Sequence, residues 1–142
     1  AATVALLGKL ENASALRAVL ACVRDRSPRV RANALEAVGA RFAGVEAARV
    51  MARFVADPHH RVRSVAIKFL LLYGVKSAED HLRVMVESSE ALCRAAAAWV
   101  LREVKPTKQM AEWIKKLLAD ASEMVSNMAQ SAAQGIGSKA RA

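Results

Sequence analysis

At 142 residues and 54% hydrophobic content the chain can close one domain with a real core, which excludes a disordered tail. Aromatic residues are only 4%, so that core must come from Ala, Val, Leu and Met, a composition that suits thin, closely stacked helices. With 22 Lys+Arg against 13 Asp+Glu the formal charge is +9, and charges interrupt every run of about 18 apolar residues that could cross a bilayer as a helix.

The chain opens on Ala-Ala-Thr-Val-Ala-Leu-Leu-Gly-Lys-Leu, without an initiator Met or the basic lead-in of a signal peptide, and reads as a cut or processed end. From Ala13 to Asp25, Leu16, Val19, Leu20 and Val23 follow the i, i+3, i+4, i+7 spacing of one apolar helical face. Ser27-Pro28 then predicts a break, with Ser as N-cap and Pro at a first helical position, and a second helix over about 28–42 carries Val30, Ala34, Ala37 and Val38 inward. Gly44 ends that hairpin. A second hairpin places Val50, Met51, Phe54 and Val55 on its first helix, Asp57-Pro58 at the turn, and Val62, Ala66, Phe69 and Leu70 on its second. After the exit loop Tyr73-Gly74-Val75-Lys76, a third holds Leu82, Met85 and Val86, then Leu92, Cys93, Ala96, Ala97, Val100 and Leu101. Pro106 opens a fourth, with Met110, Ile114, Leu117 and Leu118 followed by a weaker helix from Met124 to about Ala133, thinned by Gln130, Gln134, Gly135 and Gly137. The tail 138–142 is expected to fray.

The hairpins are copies of one unit. The polar turn residue recurs as Asp25, Asp57, Ser88 and Asp120, at intervals of 32, 31 and 32 residues. Val30, Val62, Cys93 and Val125 follow five positions later, then Arg31, Arg63, Arg94 and Ser126, then Ala34, Ala66, Ala97 and Ala129. This divides the chain into a half repeat at 1–11 and repeats at about 12–43, 44–75, 76–105 and 106–137, forming one domain. A hairpin of about 30 residues cannot bury its apolar face alone, so each needs its neighbour. The open first unit and the uncapped Met124, Met128 and Ala132 of the last suggest a segment of a longer solenoid, or ends covered by partners.

The Asp, Pro, Val-Arg, Ala and Gly positions carried by Asp25, Pro28, Val30, Arg31, Ala34, Ala37 and Gly39, and again by Asp57, Pro58, Val62, Arg63 and Ala66, resemble the HEAT repeat family, in particular its short, phycobilin-lyase-type variant. The resemblance covers almost the whole chain and implies an all-α, right-handed α-solenoid of about four antiparallel helix pairs, with the second helices lining the concave side. It also implies that the Arg after Val pairs with the Asp of its own or a neighbouring turn. Ser88 and Ser126 depart from the pattern and put a continuous Asp/Arg ladder in doubt beyond the second unit.

The basic charge favours encounter with nucleic acid, anionic membranes or acidic proteins. Arg29, Arg31, Arg61, Arg63 and Arg94 would align along the second helices into a stripe, with Arg31 and Arg63 open to the alternative role of fixing loops. Trp99 stands in a column with Glu36, Lys68 and Ser131 that is otherwise polar, so its indole is expected on an outward face where a partner or base could stack. Trp113 reads as packing, and Cys22 and Cys93 as buried free thiols, which points to a reducing, intracellular setting. Catalytic signatures are lacking: His59-His60 and His81 have no carboxylate partners of the kind the di-iron HEAT-like hydroxylases use, Trp99 with Asp120 is a thin echo of the HEAT-like DNA glycosylases, nothing marks a chromophore site, and no metal or cofactor is called for. The sequence reads as a non-catalytic scaffold or interaction module that contacts proteins within a larger complex, with binding to the phosphate backbone of RNA or DNA as the alternative.

Overall fold

The computed structural model describes residues 13–141, with side chains through residue 136. The proposed half repeat 1–11 lies outside the described residues. Every regular element described is helical: α1 (residues 13–22), α2 (Pro28–Arg41), α3 (Val45–Ala52), α4 (His60–Leu72), α5 (Ala78–Val86), α6 (Ala91–Glu103), α7 (Lys108–Leu118) and α8 (Glu123–Arg141).

Local chemistry sets the boundaries. Ser27 caps α2, its hydroxyl accepting from the Val30 amide, and Pro28 occupies the first turn where its missing N–H costs nothing. Asp25, Asp57, Ser88 and Asp120 each accept from the amide two residues on, so the four turns share one side-chain-to-backbone bond. At the end of α4 the Val75 amide donates to the Leu70 carbonyl and the Gly74 amide to Leu71, a Schellman closure that Gly74 permits with its φ of 81°. Tyr73 then reaches back to donate its hydroxyl to the Phe42 carbonyl at 3.0 Å, tying the exits of α2 and α4 together.

Helices α2, α4, α6 and α8 pack each upon the next, while α3, α5 and α7 rest on that layer and make no comparable contact with one another. Close packing on one side and splaying on the other put the second helices on the inner face of the curve. The core is aliphatic, with Leu35, Met51, Val62, Ile67, Leu82, Leu101, Ile114 and Leu117 all sealed from solvent. Gly39 lets α2 approach α4 so closely that a Cβ there would fall inside the Phe69 ring's contact shell. Trp113 is buried, in line with its reading as packing.

Four expectations need correction. Leu92 is 54% exposed, because α6 turns its first-turn residue toward the open inner face rather than toward α5. Cys22 is exposed while Cys93 is buried: Val23, the next residue, takes the inward position at the end of α1. Leu118 also lies at the surface, beside the buried Leu117. Finally, α8 does not stop near Ala133 but stays helical to Arg141. Among the described helices it packs most extensively on α6, and that packing outweighs the poor propensity of Gly135.

Candidate docking groove and the arginine rungs

In α2, α4 and α6 the arginine that follows Val30, Val62 or Cys93 reaches along the stack rather than into solvent. Arg31 Nε donates to Asp57 Oδ2 at 3.1 Å and Nη2 to Oδ1 at 2.9 Å, while Nη1 donates to the carbonyls of Asp25 and Arg26. Arg94 repeats the arrangement on Asp120, at 2.7 and 3.0 Å, with Nη1 on the Ser88 and Ser89 carbonyls. Each forked guanidinium thus clips its own turn to the carboxylate of the next unit, a planar match that suits arginine and not lysine. The hydrogen bond from Arg94 is the main cause holding the Asp120 carboxyl below its ordinary range.

Between these two rungs the pattern fails. The acceptor for Arg63 should come from the third turn, where Ser88 stands in place of Asp. Ser88 keeps the turn bond, accepting from Glu90, but offers no carboxylate. Arg63 Nη2 is left with the Cys93 thiol at 3.4 Å, and its Nε is sealed from solvent with no acceptor among the described residues. The ladder is therefore discontinuous: it breaks between the second and third units, where Ser88 put its continuity in doubt, and resumes at Arg94–Asp120.

A second column runs deeper on the same face. Lys68, only 9% exposed, donates to both carboxylate oxygens of Glu36 at 2.8 and 2.9 Å. Its ammonium also sits 4.4 Å from the centre of the Phe69 ring and 4.8 Å from that of Trp99. Glu36, Lys68 and Trp99 are consecutive members of one repeat column, so a line that reads as polar and outward is a chain of lateral contacts between units. Trp99 is half-buried, one ring face lying under Lys68.

Around Trp99 the inner face opens into a groove of about 360 Å³ lined by residues of α2, α4, α6 and α8. Leu92, Ala95, Ala96, Met124 and Met128 form its apolar wall, and His60, Arg61 and Glu36 its polar rim. Leu92 and Met124 remain 54% and 44% exposed, unusual for large apolar side chains that face one another in a concavity. His60, stacked on His59 at 4.4 Å, is held below the ordinary histidine pKa chiefly by burial and then by His59 and Arg63, with Glu90 acting in the opposite sense.

Of the six residues singled out from sequence, Arg31 and Arg94 are engaged in rungs, Arg63 is half-buried at the broken rung, and Trp99 and Arg61 line the groove. Arg61 is exposed and donates to Asn33 Oδ1 at 3.4 Å; Arg29 is exposed with no side-chain partner among the described residues. The single stripe expected from five arginines is thus divided, and Lys68, Leu92, Met124 and Met128 enter the site unforeseen. Their signal lay in the columns: Glu36 and Lys68 are opposite charges one repeat apart.

Helical hairpins stacked so that equivalent side chains touch from unit to unit define an α-solenoid. The chain belongs to the HEAT repeat family: the family model for HEAT repeats matches residues 1–71, half its length. No curated protein matches it significantly. HEAT repeats generally mediate protein–protein interaction and are typically non-catalytic scaffolds. No helix among the described residues is long and apolar enough to cross a membrane.

Proposed function

We propose that this chain is a non-catalytic docking module, contributing protein–protein contacts to a larger assembly by receiving a helical segment of a partner in the groove between α4, α6 and α8. The observation that carries the reading is the concave cluster of Leu92, Trp99, Met124 and Met128, an apolar floor at which the rim is charged. Buried aromatic and flexible thioether side chains under a polar rim are what an amphipathic helix needs for its anchors. Three helices about 10 Å apart accommodate a segment of about 14–18 residues.

The phosphate-backbone alternative draws on the charge of +9. It loses ground because Arg31 and Arg94 already hold bidentate carboxylates, leaving Arg29 and Arg61 as the open members of the stripe. A base could reach only the ring face of Trp99 that Lys68 does not cover.

The test is a displayed library of helix-forming peptides panned on the wild-type chain and counter-selected on Leu92→Ser/Met124→Ser, whose exposed side chains leave the fold unaffected. Enrichment of peptides with an apolar stripe, lost on the double variant, is the expected result. No such enrichment, together with single-stranded RNA binding whose steep salt dependence disappears in Arg29→Ala/Arg61→Ala, would transfer the function to nucleic acid.

A further inference from the structure

The inner face changes character along the stack. Just past each turn the second helices present Arg29, Arg61, Leu92 and Met124, the same position of successive units, and the last three line the groove together. One half of that row is cationic and the other apolar. The helix starts run the same way: α2 and α4 have no acidic residue in their first turns, whereas Glu90 stands directly before α6 and Glu123 opens α8. We propose that the groove is directional, taking a partner helix whose apolar anchors lie over α6 and α8 and whose next residues in line, over α4 and α2, are acidic. This rests on the groove reading above and names the chemistry of its occupant and the way it lies.

Arg61 is within reach of an occupant. It lines the groove, it is exposed, and its guanidinium holds only the neutral Asn33 Oδ1, at 3.4 Å, so an arriving carboxylate displaces no ion pair. Arg29, exposed and without a side-chain partner among the described residues, is next on the same line. The other titratable groups of the lining are already answered. Glu36 accepts from Lys68 through both carboxylate oxygens, which leaves it little to offer a partner's cation. His60 is held toward its neutral form, chiefly by burial. Glu90, whose field acts on His60 in the opposite sense, is outside the lining and at the start of α6, where the anchors and not the acid are placed. The spacing also fits. Packed helices lie about 8–10 Å apart, and about seven residues of an α-helix rise that far in two turns, so positions i, i+7 and i+14 of one helical face meet Met124, Leu92 and Arg61 in order.

Fluorescein-labelled peptides recovered from the panning are titrated by anisotropy against wild type, Arg61→Gln and Arg61→Glu. Asp or Glu should recur about two helical turns beyond the apolar anchors, at one end of the stripe. Arg61→Gln should weaken such peptides about threefold, as loss of an exposed ion pair does, and flatten their salt dependence. Arg61→Glu should weaken them about tenfold, because attraction becomes repulsion. Changing the peptide's acid to Lys should cost the wild type a similar factor and restore binding to Arg61→Glu, a rescue that a damaged fold would not give. Peptides that depend on Leu92 and Met124 but carry no acid at that spacing, bind Arg61→Glu as tightly as wild type, or are not rescued by the exchange would overturn the directional reading and leave the docking groove standing. Failure to recover any groove-dependent peptide would sink both.

Discussion

Ser88→Asp should make the isolated chain more stable, although it adds a charge at a half-buried turn. Its turn already has the geometry of the Asp turns, since Ser88 accepts from the Glu90 amide as Asp57 accepts from His59 and Asp120 from Ser122. The new carboxylate would meet Arg63 Nε, sealed and without an acceptor. Hydrogen bonds to charged groups contribute about 1.5–3 kcal/mol, and the partial exposure of the site and the nearby Glu90 reduce the net to about 1.5 kcal/mol. For a chain of 142 residues the unfolding entropy is about 0.3 kcal/mol/K, so the melting temperature should rise by about 5 °C. Thermal melts by circular dichroism read this directly, with Arg63→Met as the second arm. Removing an uncompensated cation in favour of an apolar side chain should be neutral or stabilising, and in that background Ser88→Asp should gain nothing. A melt at or below wild type, or an equal gain with Met at 63, would refute the account of Arg63 as an orphan.

Glu36→Ala strips Lys68 of its carboxylate and should cost about 1–3 kcal/mol, whereas Lys68→Met, which keeps the stem and removes the charge, should stay within about 1 kcal/mol of wild type; urea titration separates the two. Gly39→Ala forces a methyl into the Phe69 ring and should cost about 1–3 kcal/mol, largely recovered when Phe69→Leu is added. Val62→Asp buries a lone charge at a fully sealed position between helix pairs and should abolish the cooperative melt. Two pH effects follow from opposite causes. The Asp120 carboxyl lies below its unfolded value, so the Arg94 rung contributes in full at neutral pH and is lost as pH falls below about 4; Asp120→Asn should remove that acid-sensitive part of the melt. His60 is also depressed, which favours the neutral ring in the fold, so stability should fall as pH drops below about 6.5, and His60→Gln should flatten that limb.

The helical pairs were legible because a period of 31–32 residues repeats both the apolar positions and the turn chemistry, and each turn reuses the same bond. The lateral direction of contacts was not. A periodic pattern says which face of a helix is apolar, but not which neighbour a long side chain reaches, so Arg31 could equally have served its own Asp25. It reaches forward to Asp57 and only takes carbonyls from its own turn. That forward reach moves the consequence of Ser88 back by one unit, to Arg63. Lys68 shows the same limit: one helix read alone makes it a solvent residue, and only the next units, with Glu36 on one side and Trp99 on the other, make its burial affordable. Leu92 and Cys22 misled because an apolar side chain does not fix a position: Leu92 stands in the column of the exposed Arg29 and Arg61, which faces the open inner side, and Val23 rather than Cys22 takes the inward place at the end of α1.

The missing clip also gives the solenoid uneven stiffness. Along the turn edge, units one and two are joined by the Arg31–Asp57 pair and units three and four by Arg94–Asp120, so the chain is expected to flex as two braced blocks about the α4/α6 seam. Bending concentrates where bracing is least, and the groove lies across that seam. Pulled from its two ends in an optical trap, the chain should part there first, and Ser88→Asp should raise the force of that first event while leaving the later ones unchanged.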